Sequence, residues 1–237
     1  MTKISSRSGS CARSVCNGLI AALVALAAQT AVAAAPAVGD TYVYRIINGY
    51  NNETRGQLTY RVDQADAGRI VMAITTDQSA DELAIKEIYT PDGKWLRHPM
   101  LSHDRVVDYE YTPAFPSYDF PLETGKKWSN RVDAVIPESG AKRSVRVDAT
   151  VNGTEHIRVP AGEFDTIKIS RSIYAGDAGF PLSETNIRQT EWYAPSLGRA
   201  VRVNISSGWN DISVGIRNSA TRGDWNVFEL VSATPAR

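Results

Sequence analysis

Glu87-Ile88-Tyr89-Thr90-Pro91-Asp92-Gly93 is echoed further along the chain by Glu191-Trp192-Tyr193-Ala194-Pro195-Ser196-Leu197-Gly198. Each phrase reads as the end of a strand running into a Pro/Gly turn. Two earlier echoes come in the same order. Gly39-Asp40-Thr41-Tyr42 recurs as Gly125-Lys126-Lys127-Trp128, and Arg61-Val62-Asp63 recurs as Arg146-Val147-Asp148. Three ordered matches predict one β-rich unit used twice, the second copy carrying an insertion of roughly twenty residues. The halves are expected at about 39–112 and 123–232.

Outward from these phrases the sequence alternates with a period of two. Leu58, Tyr60 and Val62 share one strand face, and Thr59, Arg61 and Asp63 the other. Val145, Val147, Ala149 and Val151 alternate in the same way with Arg146, Asp148 and Thr150. Such alternation marks antiparallel strands with one face buried and one wet. Turn dipeptides such as Asp92-Gly93 and Asn152-Gly153 separate the runs. Only Ser79, with Glu82 three residues on, suggests a helix start, and then for a single turn. The expected fold is all-β: an antiparallel curved sheet or open barrel built from two similar halves. With no Gly/Ser linker between them, the halves form one domain over 34–237.

Two segments break the strand rhythm. Tyr109 to Leu122 holds Pro113, Pro116 and Pro121 among aromatics. Proline cannot donate to a ladder, so this stretch is expected to be a connection at the junction of the halves. The second break, Ala175 to Ser183, contains Gly176, Gly179 and Pro181.

The first residues follow the grammar of an export signal. Lys3, Arg7 and Arg13 precede an apolar run from Leu19 to Ala28, and Ala31-Val32-Ala33 supplies small residues. Residues 1–33 are thus expected to be a signal peptide cut after Ala33. The run is too short to span a bilayer, so no transmembrane anchor is expected after cleavage. Cys11 and Cys16 both precede that run, which leaves no cysteine for a lipid anchor, a disulfide or a thiolate site. A chain of ~200 residues buries about 70% of its unfolded surface and can be held by its core alone. Large cysteine-free exported proteins suggest a bacterial periplasmic or secreted location.

The chain has 26 basic and 26 acidic residues, and the leader removes three of the basic ones. The remainder is net negative, which argues against nucleic acid as a partner.

The chemistry-bearing residues are sparse. His98 and His103 flank a short segment with Asp104 and Asp108 close behind, but their spacing lacks the helical His pair of many zinc sites. No metal or other cofactor is expected. His156 should face solvent or a cross-strand partner. No Gly-x-Ser-x-Gly elbow and no Gly-rich phosphate loop occurs. Glu87 and Glu191 hold equivalent places in the echo. They either face one another across a pseudo-twofold or sit on the surface at strand ends, and the surface is the expectation. Trp192 and Tyr193 point to opposite faces, so only one of them should be fully buried. No catalytic residue is assigned.

Phe120-Pro121-Leu122 with Gly125, Lys126 and Trp128 forms one motif. Val159-Pro160-Ala161-Gly162 with Phe164, Thr166, Lys168 and Ile169 forms another, and Trp192-Tyr193-Ala194-Pro195 with Gly198, Val201 and Arg202 a third. Together they resemble a family of uncharacterised bacterial envelope proteins, β-rich and of unknown function. The resemblance covers roughly residues 120 to 205. It implies an envelope β-protein and carries over no catalytic or binding residue.

The aromatic connection is the best binding candidate, since aromatics combine apolar area with polar tips. Tyr109, Tyr111, Phe115, Tyr118 and Trp128 are the candidate ligand-binding residues. The alternative is that they seal the end of a barrel. The leading expectation is a non-catalytic envelope protein that binds a hydrophobic or amphipathic small molecule or an envelope protein partner. A periplasmic hydrolase using Asp, Glu and His, and an assembly factor without a small ligand, are the alternatives.

Overall fold

The structure, a computed structural model, describes residues 36–77, 85–102, 105–177, 180–211 and 219–236. The expected leader and its cleavage site, the helical turn starting at Ser79, and His103 and Asp104 all lie outside the described residues.

Among the described residues the chain forms twelve strands. They are β1 (Thr41–Asn48), β2 (Thr54–Ala65), β3 (Ile70–Thr76), β4 (Ile85–Tyr89), β5 (Trp95–Ser102) and β6 (Arg105–Phe115). Then follow β7 (Lys127–Val135), β8 (Lys142–Val159), β9 (Gly162–Asp177), β10 (Phe180–Ala194), β11 (Arg199–Asp211) and β12 (Ser219–Thr234). Each strand pairs antiparallel with its sequence neighbours, and β1 pairs with β12. The sheet is all-β and antiparallel as expected, and that last ladder closes it into a barrel. Closure removes the sheet edges that an open barrel would leave unpaired.

The period of two explains the wall. Val145, Val147, Ala149 and Val151 are buried along β8, with Arg146, Asp148 and Thr150 less covered between them. His156 lies on the wetter far part of β8, opposite Asp165, with Nδ1 2.8 Å from the carboxylate.

The two quoted phrases end β4 and β10, six strands apart. Their ladders slip at corresponding places: between Ile88 and Tyr89, and between Trp192 and Tyr193. A second pair of slips falls between Val62 and Gln64, and between Val151 and Gly153. Across the strands Val62, Met72 and Glu87 line up, as do Val151, Ile169 and Glu191. Gly39 N–H donates to Val62 O and Val62 N–H to Asp40 O. Gly125 N–H donates to Val151 O and Val151 N–H to Lys126 O. Arg97 faces Glu110 and Arg202 faces Glu229, at 3.5 and 3.6 Å. The echo of Arg61–Asp63 with Arg146–Asp148 is out of this register. In its ladder Val62 lines up as Val151 does and not as Val147 does.

Two expectations need correction. The first half of the aromatic segment is strand, not connection: Tyr109, Tyr111 and Phe115 lie on β6 and are buried. Pro113 is tolerated because it falls in a gap between ladders. The β6–β7 ladder ends at Thr112, and the β5–β6 ladder jumps from Glu110 to Phe115. The connection proper is 116–126. Trp192 and Tyr193 are also both buried, at 9% and 5% exposure. Tyr193, on the same face of β10 as Ile187 and Glu191, joins the core around Tyr111, Phe115 and Ile169. Trp192 joins a second cluster with Val159 from the long β8–β9 hairpin. That hairpin is tied back to β12 by Ala161 N–H donating to Leu230 O, and Trp192 Nε1–H donates to Glu155 at 3.1 Å.

Candidate functional site

A cavity of about 400 Å³ lies inside the barrel, lined from β1–β6 and β10–β12. Its wall is largely aliphatic and aromatic, with Tyr44, Tyr60, Ile74, Tyr89 and Phe228 among the lining residues. Glu87 and Glu191 line this same cavity, as do His98 and Arg199. The expected surface position of the two glutamates is therefore wrong. Glu87 is 7% exposed and Glu191 2%. The strand pattern accounts for this. Ile85, Glu87 and Tyr89 share one face of β4, and Ile187, Gln189, Glu191 and Tyr193 share one face of β10. Each carboxylate thus sits on the apolar side of its strand.

The two carboxylates have different surroundings. Glu191 is fully taken up. One oxygen accepts the Tyr118 hydroxyl proton, and the other meets the Arg171 guanidinium, whose side chain has no exposed surface. Arg171 also donates twice to Ser117 O, at 3.1 and 2.6 Å, so it clamps the 116–126 connection across the barrel end. Burial, and then the Glu191 charge, push the Tyr118 hydroxyl well above its usual range and keep it a neutral donor. Tyr193 beside it is pushed up to about 12 by the same two causes.

Glu87 is held more loosely. Its Oε1 accepts Trp95 Nε1–H at 3.1 Å, and His98 Nδ1 lies 3.5 Å from the same oxygen. The His98 ring stacks on Trp95 with centroids 3.6 Å apart. Arg199 Nη2 is 3.6 Å from Oε2, an ion-pair distance too long for a hydrogen bond. Burial pushes the Glu87 carboxyl up, but His98, Arg199 and Trp95 outweigh it and hold the pKa below the ordinary value. Arg199 donates from Nε to the Tyr44 hydroxyl at 3.2 Å. It also lies over the rings of Tyr42 and Tyr60, at 4.7 and 4.8 Å. A cation against tyrosine faces is favourable, more so where water is excluded.

Of the five sequence candidates, Tyr118 alone lines the cavity. Tyr109, Tyr111, Phe115 and Trp128 are core, and Trp128 Nε1–H is spent on Pro116 O at 3.0 Å. Tyr118 packs against Phe120 and Tyr193 and lies over the Gly93 turn. A Cβ on Gly93 would come within 2.8 Å of the Tyr118 ring, and φ there is +80°. The sequence reading weighed Glu87 but set it aside, and it missed Arg199, Tyr44, Tyr60 and His98 as a group. The available signal was a glutamate in the apolar register of a strand. Among the described residues no group of three or more His, Cys, Asp or Glu is placed to hold a metal.

A family model described as DUF3108-like matches residues 114–205. The match takes in Tyr118, Arg171 and Glu191 and leaves out Glu87. No curated protein is significantly similar in sequence. Among solved structures, the chain is similar to a candidate lipoprotein from Parabacteroides distasonis, at 15% identity and TM-score 0.49, over 84% of this chain and 97% of that one. It is also similar to a candidate exported protein with a YmcC-like fold from Bacteroides fragilis, at 16% identity and TM-score 0.48, again over 84% and 97%. The hypothetical lipoprotein YmcC from Escherichia coli matches at 11% identity and TM-score 0.44, over 83% and 85%.

Proposed function

We propose that this chain is an exported, non-catalytic envelope protein whose barrel holds a small apolar or amphipathic ligand. The carrying observation is the lumen, about 400 Å³ with a mainly apolar wall and an open polar spot at Glu87 and Arg199. Ligand pockets typically measure ~300–1,000 Å³ and combine apolar walls with a few placed polar groups. An assembly factor without a small ligand would have no need of such a cavity. His98 beside Glu87 suits the hydrolase reading, but the second carboxylate of the lining, Glu191, is taken up by Tyr118 and Arg171 and is not free to share acid–base work with Glu87. Export rests on the leader grammar of residues 1–33. The barrel is further proposed to be two six-strand repeats, on the strength of the matching slips and ladder positions.

Titration with an apolar fluorescent probe tests the lumen. Leu58 lines the cavity and is half-buried, so Leu58→Trp places an indole in the space. Gln57 next to it is exposed on the wet face. Wild type and Gln57→Trp should bind the probe and Leu58→Trp should not. Equal binding by all three would place the probe outside the barrel and reject the reading.

A further inference from the structure

The polar spot in the lumen has an unmet valence. Glu87 Oε2 is buried and has no hydrogen-bond donor among the described residues, although Oε1 is satisfied by Trp95. Arg199 Nη2 approaches it no closer than 3.6 Å. The Tyr44 hydroxyl is no donor to the carboxylate either, because its own proton goes to Ala200 O at 2.6 Å. A buried acceptor without a donor costs about 1–3 kcal/mol, so such an atom calls for an explanation. Glu191 on the other side of the same lumen shows the satisfied arrangement, with both oxygens occupied by Tyr118 and Arg171.

The gap also has a definite charge. Glu87 contributes one negative charge and Arg199 one positive, and both side chains are largely withdrawn from water, at 9% and 14% exposure. A ligand head entering here meets a neutral pair. A carboxylate head would bring a second anion against Glu87, and an ammonium a second cation against Arg199. Either ion would also lose its water, which is costly in an apolar site. A hydroxyl or a primary amide avoids both penalties. Each has an N–H or O–H to give to Glu87 Oε2 and an oxygen to accept from Arg199.

We propose that the space between Glu87 Oε2 and Arg199 takes the uncharged head of the lumen ligand, so that the barrel selects neutral amphiphiles, long-chain alcohols or amides, over the matching fatty acids and amines. This rests on the lumen-binding reading above. At ~30 Å³ for a water-sized group, the cavity of about 400 Å³ has room for about a dozen non-hydrogen atoms, the size of a medium-length alkyl chain with a small head. Its tail would lie along Tyr60 and Phe228.

The test compares decanol, decanoate and decylammonium as ligands of the same protein, by calorimetric titration below their micellar concentrations. They share one tail and differ in the head. Decanol should bind wild type roughly tenfold tighter than either ion, or better. In Glu87→Gln the preference should shift towards decanoate, because Arg199 is left as an uncompensated cation. Decanoate binding wild type as tightly as decanol would overturn the neutral-head assignment and leave the lumen reading standing. So would a preference order that Glu87→Gln leaves unchanged. Binding of none of the three would overturn both. The wild-type comparison needs no variant and decides the assignment even if Glu87→Gln folds poorly.

Discussion

Glu191 and Glu87 hold corresponding places on β10 and β4, yet one is locked and the other is open. Each faces a buried apolar residue across its ladder, Ile169 or Met72, and each precedes a Tyr-x-Pro turn. The difference comes from what is delivered to them. The 116–126 connection joins β6 to β7 and folds back across the barrel end. It brings the Ser117 carbonyl to Arg171 and the Tyr118 hydroxyl to Glu191. At the other side, where β12 meets β1 by its ladder, no flanking group among the described residues donates to Glu87 Oε2. Among the described residues Glu87 Oε2 is therefore left without a donor, and Glu87 lines the cavity. Two carboxylates in similar ladder positions thus differ, one held in a structural clamp and the other a candidate ligand site, because only Glu191 is met by groups of the 116–126 connection.

The largest expected effect follows from breaking the clamp. Arg171→Met would leave the buried Glu191 charge without its cation and release Ser117. Breaking a buried pair in this way costs about 3–5 kcal/mol. Urea denaturation measures it, and a loss under about 1 kcal/mol would mean that the pair is not the structural member of the comparison. Tyr118 should come next. Tyr118→Ala removes a ring packed on Phe120 and Tyr193, and should cost about 3 kcal/mol. Tyr118→Phe keeps the ring and loses only the bond to a charged oxygen, about 1.5–3 kcal/mol. If Tyr118→Ala were nearly neutral, the residue would line an open mouth and the seal would be elsewhere.

Glu87 should give the smallest effect. Glu87→Gln keeps the shape and the Trp95 bond, and Arg199 keeps its tyrosine neighbours, so the cost should be about 1–2 kcal/mol at neutral pH. This cost has a pH signature. The folded pKa of Glu87 lies below its ordinary 4.5, so the charge contributes stability that is complete above that value. That contribution is lost as pH falls through the lower folded value. The gap between wild type and Glu87→Gln should therefore be widest above about pH 4.5 and narrow below it. His98, Arg199 and the hydroxyls of Tyr44, Tyr60 and Tyr89 are the titratable neighbours. The three tyrosines are raised by burial and titrate far from this window. A gap that widened in acid would mean that Glu87 is protonated in the fold.

The wall of the barrel was legible in the sequence because its alternation has one simple cause: one face of each strand is buried. Val145 to Val151 could be placed on the core side without any neighbour being known. Closure was not legible, because the β1–β12 ladder joins Thr41 to Thr234 and no local pattern announces a partner that far away. The Tyr109–Phe115 stretch misled for a related reason. Its prolines are excluded from central ladders, but the gap that accommodates Pro113 depends on where the β6–β7 ladder stops and the β5–β6 ladder skips. The lumen site was half legible. The echo drew attention to Glu87 and Glu191 as a pair, while charge favoured the surface for both. Burial wins because Arg171 and Arg199 come from β9 and β11 to meet them, and that pairing is invisible until the strands are laid side by side.

The comparison of the two carboxylates is tested most directly by a crystal structure of the protein grown with decanol. The expected result is an alkyl chain inside the barrel, with its hydroxyl within hydrogen-bond distance of Glu87 Oε2 and the Arg171–Glu191 clamp undisturbed. An alkyl chain bound outside the barrel, or a head seated at Glu191 with Tyr118 displaced, would contradict the account.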